Sequence, residues 1–286
     1  MPRMVELQAG ALLCRVEPQL GGCITALTHA GVAVLRESPA QLATARQAAS
    51  YPLVPFSNRV GHASLHWEGT LYPLVRNNGE EPHAIHGVGW QRAWEVLDVT
   101  GDFALLSYEH RADGSWPFAF DASQTIRVTA SAVEFTLSMT NQSGANAPAG
   151  LGWHPFFAKR PASHLSLRAT GRWEMGGDKL PTQRIAGAGL DADCGALDVD
   201  HCFDGWDGVV QLRDDTFDIR VTSNLSRIVV FTNPQRDHIA IEPVSHVNNA
   251  LALVREGMSA EQLGLTTLGP GESLSAQMTI EVGRIA

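Results

Sequence analysis

The feature that most constrains this chain is a two-residue hydrophobic period that returns along its length. Val133, Phe135, Leu137 and Met139 alternate with polar neighbours, and Leu274, Ala276, Met278 and Ile280 do so near the C-terminus. Shorter runs are Leu165 with Leu167, then Phe217, Ile219 and Val221, then Ile228 with Val230. Side chains that alternate between an apolar and a polar face define half-buried strands. Turn signals separate these runs: Gly21-Gly22, Asn77-Asn78-Gly79, Asp113-Gly114, Gly176-Gly177-Asp178, Asp207-Gly208 and Gly269-Pro270-Gly271. Only Ala40 to Ala49 and Ser259 to Gly264 read as helical, and both are short. Many strands joined by turns predict an all-β sandwich or barrel of antiparallel sheets. With no fixed-period repeat and no linker composition, residues 1–286 read as one domain.

Composition excludes several function classes. The formal net charge of −9 repels nucleic acid and anionic membrane surfaces. There is no apolar run of membrane-spanning length, and Met1 to Ala11 lacks the apolar segment of a signal peptide. Cys14, Cys23, Cys194 and Cys202 form no CxxC pair. A chain this long does not need disulfides, so they read as free thiols in a reducing, cytoplasmic compartment.

Five segments break the alternation and mix polar residues with aromatics. In the first, Pro52 and Pro55 stiffen the chain just before Asn58 and Arg59, which suits the presentation of rigid donors to a polyol. Arg59 could equally pair with a surface carboxylate. In the second, His83 and His86 stand three apart, with Trp90 downstream. No HExxH and no further ligand at a zinc-motif distance accompanies them, so no metal is expected. A histidine before a glycine, with an aromatic face nearby, fits a sugar instead. In the third, His154 is enclosed by Trp153, Pro155 and Phe156. It reads either as a desolvated proton-transfer group or as a satisfied core histidine. The fourth, Asp200 to Asp207, groups carboxylates with Trp206 and could be a solvated acidic turn. In the fifth, Glu242 ends an apolar strand immediately before Pro243, where a carboxylate must be paired or functional; Asn248 and Asn249 follow within reach of a ligand.

One carboxylate and one imidazole suffice for proton-transfer chemistry at a sugar's anomeric centre without a cofactor. Glu242 and His154 are the best such pair in the chain.

Taken together, PFSNRV, HAIHG, GLGWHPFF, DHCFDGW, IAIEPVSHVNNAL and LGPGESL resemble the aldose 1-epimerase (galactose mutarotase) family, in its order and over nearly the whole chain. The bacterial branch of uncharacterised sugar epimerases looks most similar. The resemblance implies a β-supersandwich fold and interconversion of the α and β anomers of a free aldose, a monosaccharide substrate, without cofactor or metal. It implies His154 as catalytic acid and Glu242 as catalytic base. Asn58, Arg59, His86 and Asp200 would hold substrate, and Trp90, Trp153 and Trp206 are candidates for the pocket wall. The chain lacks the extended insertions of longer members, which implies a more open pocket. The expected assembly is a monomer or homodimer. Two other readings stay open. One is a hexose-6-phosphate mutarotase, which needs further basic residues at the pocket, with Arg36, Arg76, Arg92 and Arg236 as donors. The other is a sugar sensor that binds without turnover.

Overall fold

The structure is a computed structural model that describes residues 4–285; the first three residues of the stretch read for a leader, and residue 286, lie outside the described residues. The alternating segments become strands in two large antiparallel sheets. The first holds nine strands in the order Glu95–Val99, Phe103–His110, Phe120–Val128, Ala132–Asn141, Ser273–Arg284, Phe217–Ser223, Val209–Arg213, His164–Arg168 and Gly189–Asp193. Here the period does what it predicts. Val133, Phe135, Leu137 and Met139 are buried, and so are Ala276, Met278 and Ile280 of the strand that pairs with them. A one-residue slip would carry each set to the opposite face, so burial of one face fixes the register.

The second sheet positions the site. Its main path runs Pro181–Ala186, Gly171–Met175, Val199–Asp204, Arg227–Thr232, His238–Val244, Gly152–Trp153 and Pro52–Leu53, with Phe156–Ala158 also paired to His238–Val244. The strand His238–Val244 is buried at every residue. It is covered on both faces, so it reads as a continuous apolar run and shows no alternation. A four-stranded sheet begins with Val5–Ala9 and Leu12–Glu17.

The helices differ from expectation. Ser259 caps Ala260–Leu263 by accepting from the Gln262 amide, and Gly264 ends it in the left-handed region, as that segment predicted. Ala40 to Ala49 yields only a 3₁₀ turn at Ala45–Gln47. The backbone beyond it is committed elsewhere: Ala49 donates to the Ile24 carbonyl and accepts from the Phe156 amide. A six-residue helix, Ala250–Arg255, was not foreseen; its run Leu-Ala-Leu-Val is too short for its period to show. All four cysteines are buried and free. No helix among the described residues is long and apolar enough to cross a membrane.

Candidate active site

Register in the second sheet lines up the acidic residues. Asp200 sits opposite Phe231, and Phe231 opposite Ala240. Glu242 lies two residues beyond Ala240, hence on the same face, and is itself opposite Val229. Val229 and Phe231 therefore share a wall with Glu242 and Asp200. The chain returns at Gly152–Trp153 on the far side of the Glu242 strand, which delivers His154 beside the carboxylate. His154 Nε2 lies 3.1 Å from Glu242 Oε1.

The other wall comes from the loops after Pro52–Leu53. Asn58 and His86 clasp each other: the Asn58 amide donates to His86 Nδ1 (3.1 Å), and the His86 amide donates to the Asn58 carbonyl (2.8 Å). Both residues are left-handed, as is Gly87 after them. A side chain at Gly87 would place Cβ 2.1 Å from the Val54 carbonyl oxygen, so only glycine admits this approach. Arg59 donates to Asn58 Oδ1 and pairs with Glu81 through Nε. Arg59 thus has a carboxylate partner and also lines the cavity.

Asn58, Arg59, His86, His154, Asp200 and Glu242 all line one polar cavity of about 260 Å³. Glu242 and His154 are almost wholly buried, at 2% and 7% exposed. Tyr51 stacks on the His154 ring at 4.8 Å, Phe156 lies 4.3 Å away, and His86 meets it edge-on at 5.1 Å. Burial pushes Glu242 well above the usual carboxylate range, and the Asp200 charge adds to this while Arg59 opposes it. Burial holds His154 well below the usual imidazole range, and the charge of Arg36 adds to it. His86 is held low by burial, then by His154 and Arg59. Glu242 Oε2 and His154 Nδ1 have no partner among the described residues. Buried polar atoms are seldom left so without a reason in function or bound water.

Glu242, His154 and His86 each offer an atom within 4.8 Å of the others, a grouping that could hold a metal. The tautomer of His86 argues against it. Its Nδ1 accepts the Asn58 amide, so in the neutral ring Nε2 carries the proton and is a donor. That suits a sugar hydroxyl and not a cation.

The three tryptophans are corrections. None lines the cavity. Trp90 is buried beneath it, its indole donating to the Ile85 and Gly87 carbonyls. Trp153 reaches into the core and donates to Gln124 Oε1. Trp206 is buried and donates to the Val209 carbonyl. Each indole satisfies its N–H inside the fold, so these rings serve packing. Asn249 is likewise structural, accepting the Gly61 amide, and neither it nor Asn248 reaches the cavity. Of the proposed basic donors, Arg236 lines the cavity, whereas Arg76 and Arg92 do not. Arg46, Asn78, Glu81 and Lys179 also line it without having been singled out. They come from connecting segments, and only Asn78 had a local signal, as part of a turn.

The chain matches the model of a family described as aldose 1-epimerase over residues 3–281. It is 28% identical to the uncharacterized protein YphB of Escherichia coli K12, across 96% of this chain and 97% of that protein. A crystal structure from Escherichia coli K12, provisionally described as an aldose 1-epimerase, superposes with a TM-score of 0.89 at 28% identity, covering 99% of both chains. A galactose mutarotase-like protein from Clostridium acetobutylicum superposes at 0.85 with 17% identity, over 99% of this chain and 95% of that one, a likeness of fold.

Proposed function

The chain belongs to the aldose 1-epimerase family, and from that premise we propose that it is a mutarotase, interconverting the α and β anomers of a free aldose. The observation that carries the reading is the buried Glu242–His154 contact of 3.1 Å in a cavity of sugar size. Glu242 takes the proton from the anomeric hydroxyl as His154 gives one to the ring oxygen. The C1–O5 bond breaks, leaving an aldehyde at C1 and a hydroxyl at C5; the C1–C2 bond rotates, and the roles reverse as O5 attacks C1 on the other face.

The perturbed environments of the pair fit this cycle. Before opening, the pair is carboxylate and imidazolium; afterwards it is carboxylic acid and imidazole. Both states hold the same number of protons, and the enzyme must pass between them in each direction. Burial that raises Glu242 and lowers His154 moves the balance from the first state toward the second, relative to water. Asp200 and the donors of Arg59, Asn58 and His86 would hold the hydroxyls. The four buried thiols fit a reducing compartment, and we place the protein in the cytoplasm.

Anomer exchange followed by NMR, starting from α-D-glucose and α-D-galactose, tests the reading. Acceleration over buffer that is lost in Glu242→Gln supports it. Sugar binding with no acceleration across a panel of aldoses would replace it with the sensor reading.

A further inference from the structure

The cavity is rich in cations for a chain of net charge −9. Arg46, Arg59, Lys179 and Arg236 line it against three carboxylates, Glu81, Asp200 and Glu242, the last pushed toward its neutral form. Two of these cations are accounted for. Arg59 pairs with Glu81. Lys179, on the turn after Gly171–Met175, is near enough to the same carboxylate to help hold it ionised.

Arg46 and Arg236 have no carboxylate partner among the described residues, though Arg236 lies 4.6 Å over the Phe231 ring. Both are exposed. A third guanidinium stands with them. Arg36 lies 3.5 Å over the Phe156 ring and donates to the carbonyls of Ala48 and Arg46. His238 joins the group: its Nδ1 meets Asp237 at 2.7 Å, which leaves Nε2 as an acceptor, with Arg36 at 3.4 Å and Arg236 at 3.5 Å. Asp237 is thus engaged with the imidazole, and its own side chain is 93% exposed to solvent. Burial lowers Arg36 below the usual guanidinium range, Tyr51 and Asp237 oppose this, and the positive charges of Arg236 and Arg46 add to it. Two guanidiniums, Arg36 and Arg236, meet this imidazole with Arg46 near Arg36, and the one carboxylate among them, Asp237, is held by the imidazole and open to solvent, so the group attracts a further anion.

Their position relative to the reacting atoms is specific. Phe156 lies 4.3 Å from the His154 ring at a tilt of 36° and meets His238 edge-on at 5.3 Å, so the arginine group adjoins the imidazole. Under the mutarotase reading that imidazole serves the ring oxygen. The carbon next to the ring oxygen, away from C1, is C5, and C5 carries C6. With Glu242 serving C1, a group on the other side of His154 would meet whatever C6 bears. We propose that the aldose accepted here carries an oxyanion at C6, a phosphate ester or a carboxylate, held by Arg46 and Arg236 with Arg36 behind them. The inference rests on the mutarotase reading and deepens it by naming the substrate class.

The test compares kcat/KM for matched sugars in one NMR anomer-exchange assay: glucose and galactose, their 6-phosphates, and the corresponding uronates. The anionic sugars should exceed their neutral parents by about tenfold or more, and the preference should shrink as salt rises from about 20 to about 300 mM. The 6-phosphate and uronate arms show which oxyanion is meant. In the Arg46→Gln/Arg236→Gln double variant the anionic-to-neutral ratio should fall toward one. Taking the ratio within one enzyme cancels any effect of the substitutions on His154 itself. Neutral sugars turned over as well as anionic ones, or a ratio that survives the double variant, would overturn the inference and leave the mutarotase reading intact. No acceleration of any sugar would defeat the mutarotase reading, and this inference with it.

Discussion

Replacing Glu242 with glutamine should make the protein more stable and nearly inactive at once. In the unfolded chain Glu242 titrates near 4.5. In the fold, burial and the Asp200 charge keep its proton on to higher pH. Folding near neutrality therefore takes up a proton onto the Glu242–His154 pair, whichever partner holds it. A group raised in the folded state gives its full stability below its unfolded value and loses it as pH climbs toward the folded one. The loss runs at about 1.4 kcal/mol for each pH unit between those limits. Glutamine has the shape of the neutral acid and no proton to take up. Near pH 4.5 the variant should match the wild type, and above it should gain steadily until the folded value is reached. Meanwhile the lost base should lower kcat by about 10²–10⁴, roughly 3–5 kcal/mol of barrier. Urea unfolding of both proteins at intervals from about pH 5 to about pH 8, beside the exchange assay, measures the two effects. The reasoning fails if the variant is no more stable than wild type at the alkaline end, or if the difference is flat across the range.

The same pair predicts a bell-shaped kcat/KM profile with a broad plateau. The acid limb, where the pair gains a second proton, should lie below the usual imidazole range, and the alkaline limb above the usual carboxylate range; both values belong to the pair. A narrow bell centred near pH 5.5 would contradict it. Asp200→Asn should raise KM and lower kcat, and should move the alkaline limb to lower pH because one charge that raises Glu242 is gone; unchanged kinetics would make Asp200 a structural residue. Treatment with EDTA should leave the rate unchanged, since the tautomer of His86 presents a donor to the cavity; activity lost to the chelator and restored by a divalent cation would refute that assignment.

What could be read from the sequence follows from where each piece of the site is carried. Val133 to Met139 lie in a strand with one buried face, so their period is the fold's own geometry. His238–Val244 is covered on both faces, and there the period vanishes; Glu242 stood out only because a carboxylate interrupts an apolar run. The tryptophans could not be assigned, because an indole beside a histidine has the same sequence whether its N–H meets a sugar or, as for Trp90, the carbonyls of Ile85 and Gly87. Arg46, Lys179 and Arg236 sit on three separate connections between strands, more than fifty residues apart in the chain. No local pattern links them, since their meeting depends on how strand order folds distant loops onto one rim. Motifs on neighbouring strands of the second sheet therefore disclose the buried Glu242–His154 contact. The charge at the mouth, which would select among sugars, comes from connections that short motifs do not record.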